Sequence, residues 1–237
     1  MNDLALLGFG ADGWGDELLS GLWVTVQLAV TTLPLGLLIG FAVAGASLSK
    51  NPWLRRFGRA YTTAARGIPE LLTLFLVYNG VAILLNAAWR WFDPQSGFVE
   101  LSPFVAGVVA LSVVFGAFAG EVLRGAFQAL HPGQVEAGLA VGLSRLDLFW
   151  FIKLPQIWRF ALPGLGNLWV NLIKDTALVS IIALNDLLRM TNIAVGATKK
   201  PFTFFLLACA AYWILSILSE IVLARLETRA NRGIRRA

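Results

Sequence analysis

Five long apolar stretches divide the chain, and polar or charged residues separate them. Four stretches contain no Asp, Glu, Lys or Arg, and the fourth in chain order is broken only by Lys174 and Asp175. A helix of about 20 residues crosses the ~30 Å hydrocarbon core of a bilayer. The pattern therefore predicts five transmembrane helices, at about residues 20–47, 67–89, 102–127, 159–185 and 202–225.

The composition supports an all-α membrane protein. Of the 237 residues, 57% are hydrophobic and 14% are charged, whereas soluble domains have about 25% charged residues. We expect one transmembrane domain over residues 1–237. The single cysteine, Cys209, excludes a disulfide framework, and the single histidine, His131, has no second ligand near it in sequence, so we predict no metal site.

Basic residues concentrate in alternate connections between the stretches. Since cytoplasmic loops are enriched in Lys and Arg, we expect a periplasmic N-terminus and a cytoplasmic C-terminus. The dispersal of these residues over juxtamembrane segments argues against nucleic-acid binding. They are Lys50, Arg55, Arg56, Arg59 and Arg66 after the first stretch, Arg124, Arg145, Lys153 and Arg159 after the third, and Arg225, Arg229, Arg232, Arg235 and Arg236 after the last.

The connection at 132–155 is longer than a connector needs and has helical periodicity. Val135, Leu139, Leu143 and Leu146 recur at i, i+4, i+8 and i+11, which predicts one apolar stripe. Such a stripe requires a surface to pack on. A protein partner and the lipid interface are both compatible with it.

Local signals within this connection predict a helix, a glycine turn and a second helix. Gly142 can adopt the left-handed conformation that ends a helix. Ser144 and Asp147 form an S-x-x-D cap for the second helix, which we expect Pro155 to end or to kink.

The same connection contains Glu136-Ala137-Gly138, then Gly142 and, after nine intervening residues, Ile152-Lys153-Leu154-Pro155. This pattern resembles the cytoplasmic EAA signature of permease subunits of binding-protein-dependent ABC importers. The family usually has a second alanine where this chain has Gly138, and we expect this glycine to loosen the helix slightly. In that family the segment is the coupling helix, which sits in a groove of a separate ATPase. The resemblance implies ATPase-coupling roles for Glu136, Ala137, Gly138, Leu139, Gly142, Leu143, Ile152, Leu154 and Pro155.

Further segments resemble the polar amino acid permeases, most closely the basic amino acid and opine branch with its arginine permease subunits. They are GLWVT at 21–25, YTTAARGIP at 61–69, EVLRG at 121–125, ALPGLGN at 161–167, KDTALVS at 174–180 and KPFTFF at 200–205. The resemblance implies the type I ABC importer permease fold in a bacterial inner membrane. It also implies import of arginine, histidine, lysine, ornithine or an opine.

The partners implied by the resemblance are a second permease subunit, identical or different, two ATP-binding subunits and a periplasmic binding protein. We expect that binding protein to dock on the outer connections at 90–102 and 186–200. No G-x-x-x-x-G-K-[ST] motif occurs in the chain. We therefore expect a transporter subunit that is not itself an enzyme and binds no cofactor, with ATP and Mg²⁺ held by the partner ATPase.

Ionisable residues within the fourth stretch need a physical reason, since a charge at mid-bilayer costs about 2.5–3.5 kcal/mol. Asn171 is three residues before Lys174 and four before Asp175, so it can bond to either. The group could be an internal polar network that locks the bundle, or it could line a translocation path. Asn167 and Ser180, on the same stretch, are candidates for that path with them.

Glu70 follows Pro69 at the start of the second stretch. A carboxylate there complements the helix dipole, which is a sufficient structural reason for it. The basic amino acid and opine permeases that the chain resembles tend to have an acid at this point. We therefore include Glu70 among the substrate-path candidates, as a group that assists a cationic substrate.

Two further features of the spans concern packing. Glu121 and Arg124 are spaced for an i,i+3 ion pair, which either holds the coupling segment to the bundle or is a solvated pair at a helix end. Small residues recur every four positions at Gly36, Gly40 and Ala44 and again at Gly116 and Gly120, which favours close helix packing.

Two other functions are compatible with five spans. An autonomous channel or ion-coupled carrier would leave the stripe at 135–146 without a partner. An intramembrane hydrolase would need a nucleophile and a base, for which Lys174 and Ser180 are the candidates. Their i,i+6 spacing places them on opposite sides of a straight helix.

Overall fold

The computed structural model describes residues 6–10, 13–92 and 101–231. Within these ranges the chain is helical and has no strand, and five helices are long and apolar enough to cross a membrane. The all-α, five-helix prediction is therefore confirmed. The main helices are α1 (Gly15–Leu48), α2 (Pro52–Gly67), α3 (Glu70–Phe92), α4 (Pro103–Gln128), α5 (Pro132–Ala140), α6 (Leu154–Asp175), α7 (Leu187–Thr198) and α8 (Pro201–Ala230).

Two of the predicted functional segments extend beyond the described residues. Residues 93–100 of the connection at 90–102 lie outside them, as do Arg232, Arg235 and Arg236 of the tail. The rest of both segments is described.

The fourth span begins earlier than the apolar pattern indicates. A helical turn at Arg145–Asp147 and a π-helical turn at Leu148–Lys153 lead directly into α6, and a 3₁₀ segment at Thr176–Ile182 follows it. Pro155 lies in the first turn of α6, where a missing N–H is tolerated. The side-chain amide of Gln156 donates to the Ile152 carbonyl at 2.9 Å. Of the two expected effects of Pro155, ending the helix is wrong, and a kink at this residue stays a prediction.

Helices α1 and α4 form the centre of the bundle through their small residues. A Cβ built on Gly40 would lie 2.9 Å from the Ala119 methyl group, and one on Gly116 would lie 2.5 Å from the Ile39 side chain. Neither position has room for a side chain, so the backbones approach closely. The predicted small-residue faces are thus in contact with each other.

Helices α6 and α8 complete the bundle around this pair. A Cβ on Gly164 would lie 2.8 Å from Val122 of α4, and one on Gly166 would lie 3.1 Å from Leu223 of α8. Helix α8 buries only Phe204 and Ala208. Its remaining apolar surface is available to lipid or to another subunit.

Helix α2 is an element that the apolar pattern does not predict. Asn51 caps it by accepting a hydrogen bond from the Trp53 backbone N–H at 2.9 Å. Its buried residues are Gly58, Thr62 and Ala65, which recur at the spacing of one helix face. Because arginines and threonines interrupt its apolar residues, the segment lacks the long apolar run by which spans are recognised.

Candidate coupling segment and candidate substrate path

The coupling segment at 132–155 begins with a capped helix. His131 is the N-cap of α5, and its Nδ1 accepts a hydrogen bond from the Gly133 backbone N–H at 3.2 Å. Pro132 occupies the first turn, where its fixed φ suits a helix start. The imidazole thus has a structural role at the helix end.

The turn after α5 has the predicted geometry. Gly142 has φ +82°, in the left-handed region that favours glycine. The Leu143 N–H donates to the Gly138 carbonyl at 3.0 Å, and the Gly142 N–H donates to the Leu139 carbonyl at 3.0 Å. Ser144 then caps the next turn, since its Oγ accepts from the Asp147 N–H at 3.2 Å. The predictions for Gly142 and for the S-x-x-D cap are confirmed.

Gly138 has a packing role that the sequence pattern does not indicate. It is the buried residue of α5, and a Cβ built on it would overlap the Leu148 side chain and lie 2.8 Å from Ile152. The glycine lets α5 pack directly on the π-helical turn that leads into α6. At this position the glycine allows the two helical parts of the segment to meet, and the expected slight loosening of the helix stays a prediction.

The structure does not show the predicted apolar stripe as one continuous surface. Leu139 and Leu146 are 53% and 68% exposed, whereas Val135 and Leu143 are half-buried. The chain reverses at Gly142, so a helical periodicity does not carry through the turn. Val141, which is 77% exposed, lies at the tip and was missed because it is off the predicted stripe.

The remaining predicted coupling residues lie on both sides of the Gly142 turn, on α5 and on the helical turns that lead into α6. Glu136 and Ala137 are exposed on α5, Ile152 and Leu154 are half-buried on the return arm, and Pro155 is exposed. The exposed side chains of Leu139, Val141 and Leu146 form an apolar tip at the turn, and such a surface is suited to a protein partner. Among the residues that the structure describes, none covers these side chains.

Three of the six substrate-path candidates come together between α3 and α6. The side chains of Glu70 and Asp175 line one small cavity. Asn171, one turn before Asp175, lines the same small cavity of about 60 Å³. Apolar side chains from α4 form its other wall, among them Phe115 and Phe118. Two carboxyl groups thus lie side by side in mostly apolar surroundings.

The other three candidates lie elsewhere. Lys174 is exposed and does not line this cavity. Asn167 lines a separate groove with Glu220 and Glu227 of α8, and Ser180 lines another with Arg189. No hydrogen bond joins Asn171 to Lys174 or to Asp175, so the expected network within the span is replaced by a contact between helices.

The predicted ion pair between Glu121 and Arg124 is present. The Arg124 Nη2 and Glu121 Oε2 atoms are 2.7 Å apart, and Arg124 also donates to Gln128. The pair lines an open cavity whose other polar residues, among them Arg59 and Arg66, belong to α2. It therefore faces α2, and the expected tie to residues 132–155 is not seen.

A buried polar cluster near the start of α7 was missed by sequence reasoning. Asp186 is fully buried and caps α7, with Oδ1 accepting from the Arg189 N–H at 3.0 Å. Burial raises the pKa of Asp186 to about 6, and the backbone N–H groups and Arg189 oppose this shift. The sequence signal that could have indicated this cap is an Asp directly before two leucines, which is typical of a helix start.

Comparison with known proteins identifies the family. The model of the binding-protein-dependent transport system inner membrane component matches residues 33–232. The chain belongs to this family. It is therefore an inner-membrane permease subunit of an ABC importer, and the type I permease architecture expected for it is confirmed by the helical bundle and by similar solved structures.

Named relatives cover nearly the whole chain. The octopine transport system permease protein OccQ of Rhizobium radiobacter is 43% identical over 98% of this chain and 97% of its own length. The arginine ABC transporter permease protein ArtQ of Escherichia coli K12 is 40% identical, covering 92% of this chain and 97% of that protein. The chain is thus similar to polar amino acid permeases along nearly all of its length.

Solved structures agree with this fold. A crystal structure of an amino acid ABC transporter with histidines has a TM-score of 0.77 and 28% identity, covering 91% of this chain and 95% of that one. An inward-facing MetNI methionine ABC transporter has a TM-score of 0.69 at 19% identity, with 91% and 96% covered. The second likeness concerns the fold alone.

Proposed function

We propose that this permease subunit imports a basic amino acid or an opine with a cationic group. The observation that carries the proposal is the Glu70–Asp175 carboxyl pair in the cavity between α3 and α6. The relatives named for octopine and arginine support a cationic substrate. On this proposal Glu70 contributes to recognition as well as to the helix dipole.

The chemistry of the pair suits a guanidinium or ammonium group. Two carboxylates at close range repel each other, and a cation placed beside them relieves that repulsion. A guanidinium group can form paired hydrogen bonds with carboxylates. Asn171 adds an amide that can donate to or accept from the same ligand.

The cavity must widen to hold an amino acid. Its volume of about 60 Å³ is well below the roughly 300–1,000 Å³ of ordinary ligand pockets. We infer that the occupied path forms between two permease subunits when the bundle moves, as alternating access requires. Whether the second subunit is a copy or a homologue does not alter the role of this pair.

The remaining machinery belongs to partners. We infer that two ATPase subunits bind ATP and Mg²⁺ and that the apolar tip of the coupling segment, with Leu139, Val141 and Leu146, seats in one of them. A periplasmic binding protein would deliver substrate to the outer ends of the helices. This arrangement places the N-terminus outside and the C-terminus in the cytoplasm, in keeping with the distribution of basic residues.

The substrate proposal is tested by uptake in cells that express the complete transporter. We expect Glu70→Gln and Asp175→Asn each to reduce uptake of labelled arginine at low concentration by about tenfold or more, since each removes a charged hydrogen-bond partner. Glu17→Gln is the matched control, because Glu17 is an exposed first-turn acid of α1. Unchanged arginine uptake in both cavity variants would refute the role of the pair.

A further inference from the structure

The first turns of α2 lie close to the end of a membrane span. Only three residues, Ser49 to Asn51, connect the end of α1 to the start of α2. Three residues reach about 10 Å at most. The beginning of α2 is therefore held beside the end of α1, which is the first candidate membrane span.

One side of α2 is fixed against the bundle. A Cβ built on Gly58 would lie 2.5 Å from the Ser47 hydroxyl of α1. The Tyr61 hydroxyl donates to the Val113 carbonyl of α4 at 2.6 Å. These two contacts determine the rotation of α2 about its axis, so the residues on its other sides have a fixed direction.

The apolar residues at the start of α2 precede those contacts along the helix, and the bundle leaves them uncovered. Trp53, Leu54 and Phe57 are 74%, 49% and 67% exposed. They recur at i, i+1 and i+4 and so occupy one side of the helix. Exposed aromatic and aliphatic side chains next to the end of a membrane span match the aromatic belts of membrane proteins.

The polar residues beside this patch are basic. Lys50, Arg55 and Arg56 are exposed, and the first turn of α2 contains no acid. Cations at a helix N-terminus oppose the helix dipole, where anions are stabilising. The Arg56 guanidinium lies 5.7 Å from the centroid of the Trp53 ring. The apolar and the basic side chains therefore form one continuous surface.

We propose that this surface, which we call the α2 tip surface, binds anionic phospholipids of the bilayer. It consists of Lys50, Trp53, Leu54, Arg55, Arg56 and Phe57. The aromatic and aliphatic side chains insert among the acyl chains near the headgroups, and the cations bind the lipid phosphates. Charge complementarity supports this occupant, since clusters of Lys and Arg beside a span attract anionic lipid.

A lipid partner also explains why the two kinds of residue occur together. A protein partner that covered the apolar patch would have to bury or neutralise the adjacent cations. The bilayer interface accepts both at once, because Lys and Arg extend their charged ends to the headgroups while their stems remain in apolar surroundings. The surface is thus suited to the interface as it stands, without any rearrangement of α2.

The test uses the complete transporter reconstituted in vesicles of phosphatidylcholine with one quarter phosphatidylglycerol. An environment-sensitive fluorophore is attached at residue 57 in a Phe57→Cys, Cys209→Ser chain. Spin-labelled phosphatidylglycerol and phosphatidylcholine with the same labelled acyl chain are compared as quenchers. We expect the anionic lipid to quench at least about twofold more strongly, as an electrostatic preference requires.

Two controls make the result specific. Replacing Lys50, Arg55 and Arg56 together by Gln should abolish the preference, whereas Arg225→Gln with Arg229→Gln, which removes two exposed cations of α8, should leave it intact. The same fluorophore on native Cys209, which is exposed on α8, should be quenched equally by both lipids. Retention of phosphatidylglycerol by the purified unlabelled transporter, measured by native mass spectrometry, should fall in the triple variant.

Two results would overturn the proposal. One is equal quenching by the two lipids at residue 57 in the otherwise unchanged chain. The other is protection of residue 57 from both quenchers together with its crosslinking to another subunit, since the patch would then be a protein interface.

Discussion

The Thr25 hydroxyl accepts a hydrogen bond from the Leu187 backbone N–H at 3.1 Å, although 162 positions separate the two residues. Thr25 also donates to the Gly21 carbonyl at 3.0 Å, so its single hydroxyl joins the start of α7 to α1. Both residues are buried. A Cβ on Gly21 would lie 2.8 Å from the Asp186 carbonyl oxygen, which shows how closely the two elements approach.

Replacing Thr25 by Val should destabilise the protein by about 1–3 kcal/mol, because the Leu187 N–H would remain buried without an acceptor. Val has nearly the shape of Thr, so packing changes little. Thr25→Ser keeps the hydroxyl and is the matched control. Thermal unfolding of the purified protein in detergent measures both. A Val variant as stable as the Ser variant would mean that the hydrogen bond does not fix α7.

The buried carboxyl group of Asp186 should make stability depend on pH. Its pKa of about 6 lies above the unfolded value of about 3.9. A raised pKa means that folding favours the protonated form. The contribution of the protonated Asp186 carboxyl group to stability is therefore complete below about pH 4 and is lost as the pH rises through 6.

Asp186→Asn removes this titration and keeps a side-chain oxygen for the cap. We expect the native chain to lose up to about 3 kcal/mol relative to the Asn variant between pH 4 and 7.5, at 1.36 kcal/mol per pKa unit. Unfolding midpoints of both chains across this range give the difference. The ionisable groups facing Asp186 are Arg189 of α7 and the Tyr212 hydroxyl of α8. If the unfolding midpoints of the two chains changed in parallel with pH, the raised pKa assigned to Asp186 would be contradicted.

Replacing a glycine of α1 by alanine should raise or lower the stability of the protein, depending on whether the glycine faces open space or another helix. At Gly40 a methyl group would lie 2.9 Å from the Ala119 methyl, whereas at Gly45 no atom lies within 4 Å. Gly45→Ala should stabilise the helix by up to about 1 kcal/mol. Gly40→Ala should destabilise by about 1–3 kcal/mol through overpacking. Equal effects on the unfolding temperature would show that α1 and α4 do not pack as closely as described.

The five spans and the turn at Gly142 could be predicted from sequence because their signals are local. A charge-free run, a glycine and a Ser-x-x-Asp cap each determine structure within a few residues. Helix α2 escaped this reasoning, since its amphipathic pattern is short and rich in arginine. The burial of Gly138 could not be predicted because a glycine has no side chain whose hydrophobicity would indicate a packed position.

The site was harder to predict than the fold because its contacts are non-local. Glu70 and Asp175 were each singled out for their chemistry, yet nothing in the spacing of one sequence indicates that they meet. Lys174 was expected in the same group because it is adjacent in sequence, but successive residues on a helix diverge. The pairing of carboxyl groups between α3 and α6 required the three-dimensional arrangement.

Charge placed at Gly142 should separate ATP hydrolysis from transport. Its φ of +82° strains any side chain other than glycine, and the turn positions the exposed Val141 beside it. Gly142→Asp should therefore disturb the apolar tip in two ways, through the backbone and through charge. Since the turn lies outside the described bundle core, insertion and folding should be retained.

The matched control for this change is Gly125→Asp. Gly125 is exposed near the end of α4, and nothing lies within 4 Å of a Cβ built there. In vesicles containing the complete transporter, arginine uptake per ATP hydrolysed should fall at least about tenfold for Gly142→Asp, corresponding to about 1.4 kcal/mol of lost coupling, and should change little for Gly125→Asp. If the Gly142 variant transports as efficiently as the control, force does not pass through this turn, and the exposed side chains of Leu139, Val141 and Leu146 need another explanation.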